Sequence, residues 1–259
     1  MSEYLRLRQI CLVAKDLEAV TEQICRTFGV EVCMRSPGVH RHGLNNTVTP
    51  FGPTFMEVVA NQPGKALADT TAGRYLERIG GDGGYMVILD SDDALRWRPH
   101  FEKVGVRIAQ DLDRPTYRAA QMHPKDVGGT LMSIGHDTGG DDLLGDWHAA
   151  GKDWKKFMHT ERVAAIAGVT MQSDDPRRLA ARWAEIWNKP VHDDASGLHV
   201  HTDNCKFYFV ADKNGRGETM AGLDIKVNDK EAVLKGALEA GVPMEGETLR
   251  ICGLNWRLI

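Results

Sequence analysis

The stretch RQICLVAKDLEAVTEQICRTFGV, residues 8–30, contains the pattern that decides the fold. A short apolar strand, Ile10 to Ala14, is followed by Asp16 in a turn and then by apolar residues at helical spacing. Gly29 stands where such a helix is expected to stop. The stretch therefore predicts a strand, a turn that contains an aspartate, and an amphipathic helix.

The same order recurs three more times along the chain. The repeats and their turn aspartates are residues 85–106 with Asp93, residues 166–190 with Asp175, and residues 222–242 with Asp229. Short extended runs separated by turn residues follow each helix, as in residues 44–60, where the turn PFGPT divides two apolar runs. The recurrence predicts an α+β fold of four βαβββ modules. A single α+β domain with helices that are alike by accident is the alternative.

Residues 139–159 lack this period and are rich in glycine and aspartate, so we predict that they connect two domains. The first domain would comprise residues 1–138, with modules one and two. The second would comprise residues 160–259, with modules three and four.

The composition excludes several classes of protein. Of the 259 residues 42% are hydrophobic and 26% charged, which is ordinary for a globular chain, and the net charge of −4 comes with scattered basic residues. Nothing here favours a nucleic-acid partner. No apolar run approaches the ~18 residues of a membrane span, and the first residues have no signal-peptide pattern. The five cysteines form no CxxC motif, so we expect reduced thiols in a cytoplasmic protein without a membrane partner.

Three fragments carry a resemblance to a known superfamily. They are LNNTVTPFGPTFMEVVA (residues 44–60), HPKDVGGTLMSI (residues 123–134) and SDDPRRLAARWAEIW (residues 173–187). They resemble the vicinal oxygen chelate superfamily, which includes glyoxalase, bleomycin-resistance and extradiol-dioxygenase proteins, and most closely its glyoxalase-like members. The run HPKDVGG is similar to that of methylmalonyl-CoA epimerase relatives. The resemblance implies two cup-shaped domains, each built from two modules around one cleft.

The resemblance also implies a divalent metal (Mg, Mn, Fe, Zn or Ni), held by side chains on the first and last strands of the modules. The first-strand ligand positions fall on Gln9, Met86, Gly168 and Gly222, and the last-strand positions on Glu57, Ser133, Tyr208 and either Trp256 or Arg257. Only Gln9 and Glu57 offer suitable oxygens, so they are the candidate metal ligands. The second domain lacks the two histidines and the glutamate of an extradiol dioxygenase, so we do not expect that activity.

Glu57 is the leading catalytic candidate, since a carboxylate among apolar strand residues is costly without a purpose. It would act as a metal ligand or as a general base, and the alternative is that it faces solvent. His123, which matches the histidine of the resembling HPK run, is a candidate proton carrier or a turn residue. Asn46 would contact a ligand or stabilise the turn that follows it. With Gln9, Met86 and Ser133, Asn46 completes the predicted substrate-binding set.

We therefore expect a small-molecule ligand and an enzyme of the lyase, isomerase or epimerase kind, which abstracts a proton next to a carbonyl with or without a metal. Gln9 and His123 would stabilise the developing enolate. The alternative is a non-catalytic protein that sequesters a small molecule, as bleomycin-resistance relatives do. A purely structural partner in an assembly is the third hypothesis. Four modules can close both clefts within one chain, which leaves a monomer and a homodimer open.

Overall fold

The structure is a computed structural model that describes residues 3–259. Its strands form two mixed sheets, and neither sheet closes into a barrel. The strands of the first sheet are β1 (Leu5–Val13), β2 (Leu44–Phe51), β3 (Thr54–Asn61), β4 (Gly83–Ser91), β5 (Ile108–Arg114), β6 (Tyr117–Met122) and β7 (Leu131–Asp137). Those of the second are β8 (Val163–Ser173), β9 (His192–Asp194), β10 (Gly197–His201), β11 (Lys206–Ala211), β12 (Thr219–Val227), β13 (Met244–Glu245), β14 (Thr248–Ile251) and β15 (Leu254–Leu258).

The α-helices lie between these strands. They are α1 (Leu17–Phe28), α2 (Thr71–Arg78), α3 (Trp97–Lys103), α4 (Pro124–Val127), α5 (Pro176–Trp187) and α6 (Lys230–Glu239). The turn aspartates of modules one, three and four each cap a helix by accepting a backbone N–H bond, at 3.0, 3.0 and 2.9 Å. In module two the helix begins only at Trp97, and Asp93 accepts from the backbone of Leu95 instead, at 2.8 Å. None of the helices in the described residues is long and apolar enough to cross a membrane.

Modules two, three and four each have the predicted order of strand, helix and three strands. Module one differs, because only two full strands follow α1 and the third is reduced to a single bridge between Met34 and Val48. A 3₁₀-helix, Pro37–His42, occupies the place of the rest of that strand. Its proline has no N–H to donate to a neighbouring strand, which explains why pairing stops there.

The modules pair in chain order, with one and two in the first sheet and three and four in the second. The strand orders are β2-β3-β1-β4-β7-β6-β5 and β13-β14-β15-β12-β8-β11-β10-β9. In each sheet the first strands of the two modules are antiparallel neighbours, β1 with β4 and β8 with β12. This pairing confirms the predicted α+β fold of four paired modules in two mixed sheets, with the third strand of module one reduced to a single bridge.

The two faces of the first sheet have different surroundings. On β1, Ile10 and Leu12 join the largest hydrophobic cluster, which contains residues of both sheets. Cys11 and Val13, between and beyond them, belong to a separate cluster on the opposite face. The two halves of the chain therefore share one core, and the other face of the first sheet is left for a cleft.

The connecting residues 139–159 do more than join the sheets. Trp147 and Trp154 from this segment are both at least 98% buried. Their rings pack on Phe55 of β3, with centroid distances of 6.4 and 4.9 Å. The segment thus covers one end of the free face of the first sheet.

We expect Gly52→Ala to lower the free energy of unfolding by about 2–4 kcal/mol. Gly52 lies in the β2–β3 turn with a φ of +56°, and a Cβ there would approach the carbonyl oxygen of Ala164, in the second sheet, to 1.9 Å. The substitution combines a left-handed backbone conformation with a clash between the two halves. Urea unfolding followed by circular dichroism measures the change.

Gly105→Ala is the matched control, because Gly105 has a φ of +67° but no atom within 4 Å of the added Cβ. It carries only the backbone cost, about 1–2 kcal/mol. Equal losses for the two variants would contradict the close contact between the halves.

Candidate functional site

Glu57 lies at the centre of the free face of the first sheet. It is on β3, between Met56 and Val58, which face the shared core, and its own side chain is only 8% exposed. Two amide side chains donate to its carboxylate: Gln9 Nε2 to Oε2 at 2.7 Å and Asn46 Nδ2 to Oε1 at 2.6 Å. The interpretation that Glu57 faces solvent is therefore wrong.

Both amides are held in place by their other ends. The indole N–H of Trp147 donates to Gln9 Oε1 at 2.7 Å, and the backbone N–H of Ser36 donates to Asn46 Oδ1 at 2.7 Å. Because each amide oxygen is already an acceptor, each amide nitrogen is directed at Glu57. The site therefore fits a group that accepts hydrogen bonds on both oxygens, as an ionised carboxylate does.

Burial raises the pKa of the Glu57 carboxyl above its ordinary value of 4.5. Hydrogen bonds from Asn46, Cys11 and Gln9 act in the opposite direction, as does the charge of His148, and they offset the burial only in part. The result is a carboxylate that is positioned as an acceptor and is a stronger base than an exposed glutamate.

Glu57 borders two adjoining cavities. The larger, of about 840 Å³, is also lined by Cys11, Val59 and Leu131. The smaller, of about 350 Å³, is also lined by Gln9. Their combined volume is ample for a small organic molecule in contact with the carboxylate.

A histidine from the connecting segment also lines the smaller cavity. His148 Nδ1 lies 3.0 Å from Asp137 Oδ2, and the ring stacks on Tyr117 with a centroid distance of 3.5 Å. Asp137 is 97% buried, so it fixes the orientation of the ring and leaves Nε2 for another partner. An imidazole held by a carboxylate in this way is suited to proton transfer.

The sequence prediction missed His148, Asp137 and Trp147. They come from the end of β7 and from the segment expected only to connect two domains. The two tryptophans in this stretch, which is otherwise rich in glycine and aspartate, could have indicated that it packs on the rest of the chain. Large aromatic side chains are seldom left exposed to solvent.

The other predicted residues are distributed around the same cavities. Ser133 is 4% exposed and lines the smaller cavity, and Met86 lines both. His123 lines the larger cavity at its rim, where it caps α4 and its Nδ1 accepts from the backbone of Lys125 at 3.3 Å. In the part of the chain that the structure describes, His123 forms no hydrogen bond with Glu57.

Asn46 corrects one part of the sequence interpretation. It lies within β2, five residues before the turn at Phe51–Thr54, and its side chain bonds to Glu57 rather than to turn backbone. A role in stabilising the turn is therefore wrong. The strand alternation that brings Asn46 to Glu57 was not readable from the residue type alone.

The donor set at Glu57 does not fit a divalent metal. Gln9 and Glu57 are adjacent as the resemblance implies, but they bond to each other, and the amide oxygen of Gln9 accepts from Trp147. Within residues 3–259 no group of three or more His, Cys, Asp or Glu side chains is arranged to hold an ion. The neighbours Met86 and Ser133 add no hard anionic ligand.

The second sheet has a different arrangement at the corresponding positions. Arg257 on β15 forms a two-pronged ion pair with Asp224 on β12, with both N–O distances at 2.7 Å. Gly168, which the resemblance placed at a ligand position, lies beside this pair, since a Cβ there would come within 2.6 Å of the Asp224 carboxylate. An ion pair without a free carboxylate has no evident catalytic use.

Replacing Asn46 by alanine is expected to raise the pKa of Glu57 further. The Asn46 hydrogen bond stabilises the charged form, so its loss favours the protonated form and the titration moves to higher pH. A ¹³C NMR titration of the glutamate carboxyl carbons, with Glu57→Gln to assign the signal, measures the change. The control is Asn214→Ala, in the second half of the chain, which should leave the titration of Glu57 unchanged. An unchanged titration in Asn46→Ala would argue against the hydrogen bond between Asn46 and Glu57.

The comparisons with known proteins agree with this geometry. Two open mixed sheets made of paired modules, with helices between the strands, are the architecture of the vicinal oxygen chelate superfamily. The glyoxalase-like domain model matches residues 10–187, which span parts of both sheets, and the chain belongs to that family. No curated protein matches the sequence.

Solved structures of the same fold have low sequence identity to the chain. A mutant 4-hydroxymandelate synthase from Streptomyces coelicolor is 14% identical with a TM-score of 0.69, covering 93% of this chain and 76% of its own. A hypothetical protein from Staphylococcus aureus is 13% identical with a TM-score of 0.65, and 98% of each chain is covered. A Mn(II)-bound glyoxalase from Novosphingobium aromaticivorans is 11% identical with a TM-score of 0.63, covering all of this chain and 82% of its own. These similarities define the fold and leave the reaction open.

Proposed function

We propose that the chain is an enzyme that removes a proton from the carbon next to a carbonyl group of a small molecule, with Glu57 as the base. The observation that carries the proposal is a buried carboxylate with a raised pKa at the junction of two cavities. Its two oxygens are oriented by Gln9 and Asn46, so little reorganisation is needed for it to accept a proton. Lyase, isomerase and epimerase reactions share this step.

In the proposed step the C–H electron pair moves into the bond to the carbonyl carbon, and the proton moves to a Glu57 oxygen. The enolate oxygen then carries the negative charge. His148 in its imidazolium form, held by Asp137, donates its Nε2 proton to that oxygen or to the neighbouring carbon, and is left as the neutral imidazole with Nδ1–H on Asp137. The amides of Gln9 and Asn46 are engaged with Glu57, so we assign them to positioning the base rather than to the enolate. Because the donor set does not fit a divalent ion, the proposed step uses protein groups alone.

His123 contributes at the rim of the larger cavity in this proposal, where it contacts the bound molecule rather than the reacting carbon. Met86 and Ser133 line the walls and shape the space beside Glu57. These two side chains contribute few hydrogen bonds. The orientation of the bound molecule therefore depends on the shape of the cavity and on the polar groups near its mouth.

The pH dependence of hydrogen exchange tests the proposal. The base must be ionised, and burial raises its pKa above the ordinary value, so the exchange rate should level off at a higher pH than the ionisation of an exposed glutamate would give. The assay follows deuterium uptake from D₂O next to the carbonyl of 2-oxobutyrate, levulinate and an S-acyl N-acetylcysteamine thioester by ¹H NMR. A rate that levels off at the same pH as the ionisation of an exposed glutamate, or at a lower pH, would contradict a base of raised pKa.

Sequestration of a small molecule without turnover is the second candidate. The apolar walls of the cavities favour it, because Val59, Met86, Ile88 and Leu131 can bind a ligand by burial alone. It predicts saturable binding together with exchange no faster than in buffer for all three compounds.

A further inference from the structure

Cations without carboxylate partners gather around the mouth of the Glu57 cavity. Arg41, Lys65 and Arg74 line the larger cavity, and all three are exposed. A third cavity, of about 690 Å³, shares the Arg74 wall and adds Arg78 and Lys125. None of these five side chains forms an ion pair within the described part of the chain, residues 3–259. We call these five residues the basic rim.

The carboxylates near the rim do not balance it. Asp69 lines the larger cavity, but it accepts a hydrogen bond from the backbone of Ala66 as part of a 3₁₀-helix cap. Glu218 borders the third cavity and is already paired with Arg178 and bonded to Ser173. Glu57, the remaining carboxylate among the residues that line these two cavities, is buried.

This local excess of positive charge contrasts with the whole chain, which has 32 basic and 36 acidic residues. Many of the other arginines lie beside carboxylates, for example Arg107 with Asp126 and Arg177 with Asp193. A cleft lined by charges of one sign concentrates the field inside it and attracts ions of the opposite sign. Unpaired cations at its mouth are therefore positioned for a ligand rather than for stability.

The rim side chains are also directed by local contacts. Arg74 donates to the backbone oxygen of Ala68 at 2.7 Å and to the hydroxyl of Thr71 at 3.2 Å. Arg78 forms a cation–π contact with Tyr75, with its guanidinium carbon 4.8 Å from the centre of the ring. Each guanidinium has further N–H groups for an anionic oxygen.

We propose that the ligand of this site is an anion, with a carboxylate or phosphate group held at the basic rim while its carbonyl end reaches Glu57. This inference rests on the proposed function for the position of the reacting carbon, but the rim itself is independent of catalysis. An ionised Glu57 repels an anionic ligand, and the rim cations offset that repulsion.

Binding of two simple anions tests the proposal. Glutarate is the probe for a ligand with a carboxylate group, and pyrophosphate is the probe for a ligand with a phosphate group. Glutaramide is the uncharged counterpart of glutarate. Binding is followed by ¹H–¹⁵N NMR chemical shifts at about 20 mM salt, where charge interactions are little screened. We expect millimolar binding of at least one anion, with shifts at the rim and the cavity, and none for glutaramide.

The variant Lys65→Gln with Arg74→Gln should weaken that binding about tenfold, and raising the salt to about 0.5 M should weaken it in the wild type. Lys213→Gln with Lys226→Gln is the matched control, because these exposed lysines, one in the loop after β11 and one on β12, are also without ion pairs in residues 3–259 and lie outside the cavities. Thermal unfolding checks that both double variants are folded.

Each outcome has a definite meaning. Binding of glutarate but not of pyrophosphate indicates a carboxylate ligand. Binding of pyrophosphate but not of glutarate indicates a phosphate ligand. No shift with either anion at 10 mM, or equal affinities in the rim and control variants, overturns the proposal. Because Glu57→Gln removes a negative charge from the larger cavity, it should bind the anion at least as tightly as the wild type. Anion binding that needs the rim, with exchange unaffected by Glu57→Gln, contradicts only the catalytic proposal. Exchange that is lost in Glu57→Gln, with no anion binding in the wild type, contradicts only this one.

Discussion

Glu57→Gln should reduce hydrogen exchange next to the carbonyl by about 10²–10⁴-fold, the range that a positioned general base contributes. The substitution keeps the size of the side chain and removes the oxygen that accepts the proton. It also places an amide nitrogen against Gln9 or Asn46, both of which already direct N–H groups at this position. The measurement is the deuterium uptake assay at pH 8, with the fold of the variant followed by circular dichroism.

Two companion variants sharpen the result. Glu77→Gln replaces an exposed glutamate on α2 and should leave the exchange rate within twofold. His148→Gln removes the proposed proton donor and should reduce the rate about 10²-fold, the lower end of what a positioned acid contributes, while Glu57 remains in place. If Glu57→Gln exchanged as fast as the wild type, the catalytic proposal would fail and sequestration would become the leading function.

Arg8→Ala is expected to lower the free energy of unfolding by about 3–5 kcal/mol, the largest stability loss that we predict. Arg8 is fully buried and donates to the carbonyls of Pro53 at 2.9 Å, Gly145 at 3.1 Å and Leu143. Its guanidinium lies 5.2–5.9 Å from the ring centres of Phe55, Trp147 and Trp154. Burial lowers the pKa of Arg8 to about 10, so it stays charged at neutral pH.

The same variant should release the connecting segment, because two of the three carbonyls belong to it. Trypsin cleavage at the exposed Lys152 and Lys155 should then become faster. Arg177→Ala removes an exposed arginine that pairs with Asp193 and should cost less than about 1 kcal/mol without a change in cleavage. A loss below 1 kcal/mol in Arg8→Ala, with the wild-type cleavage pattern, would show that the contacts of Arg8 do not anchor the segment.

Much of the fold was predictable because its signals are local. Asp16, Asp175 and Asp229 each stand directly before the helix that they cap. Gly29 ends α1 in the left-handed conformation that glycine adopts most easily. The reduced third strand of module one was not predicted, although Pro37 stands in that region and interrupts strand pairing.

The site was predictable only in part. Glu57 and Gln9 occupy positions that the superfamily resemblance indicates, and they do contact each other. The contact between Trp147 and Gln9 joins residues 138 positions apart, and no local pattern indicates it. The pair of His148 and Asp137 depends in the same way on how the connecting segment folds back on the sheet.

The alternation of side chains along β1 and β3 has a consequence for how such proteins diversify. Met56 and Val58 stabilise the shared core, while Glu57 between them faces the cavities. A substitution at a cavity position therefore changes ligand preference without creating a cavity in the core. Mutations that alter specificity should have little effect on the free energy of unfolding. Such a division lets one scaffold accumulate new activities by drift on one face while selection preserves the other.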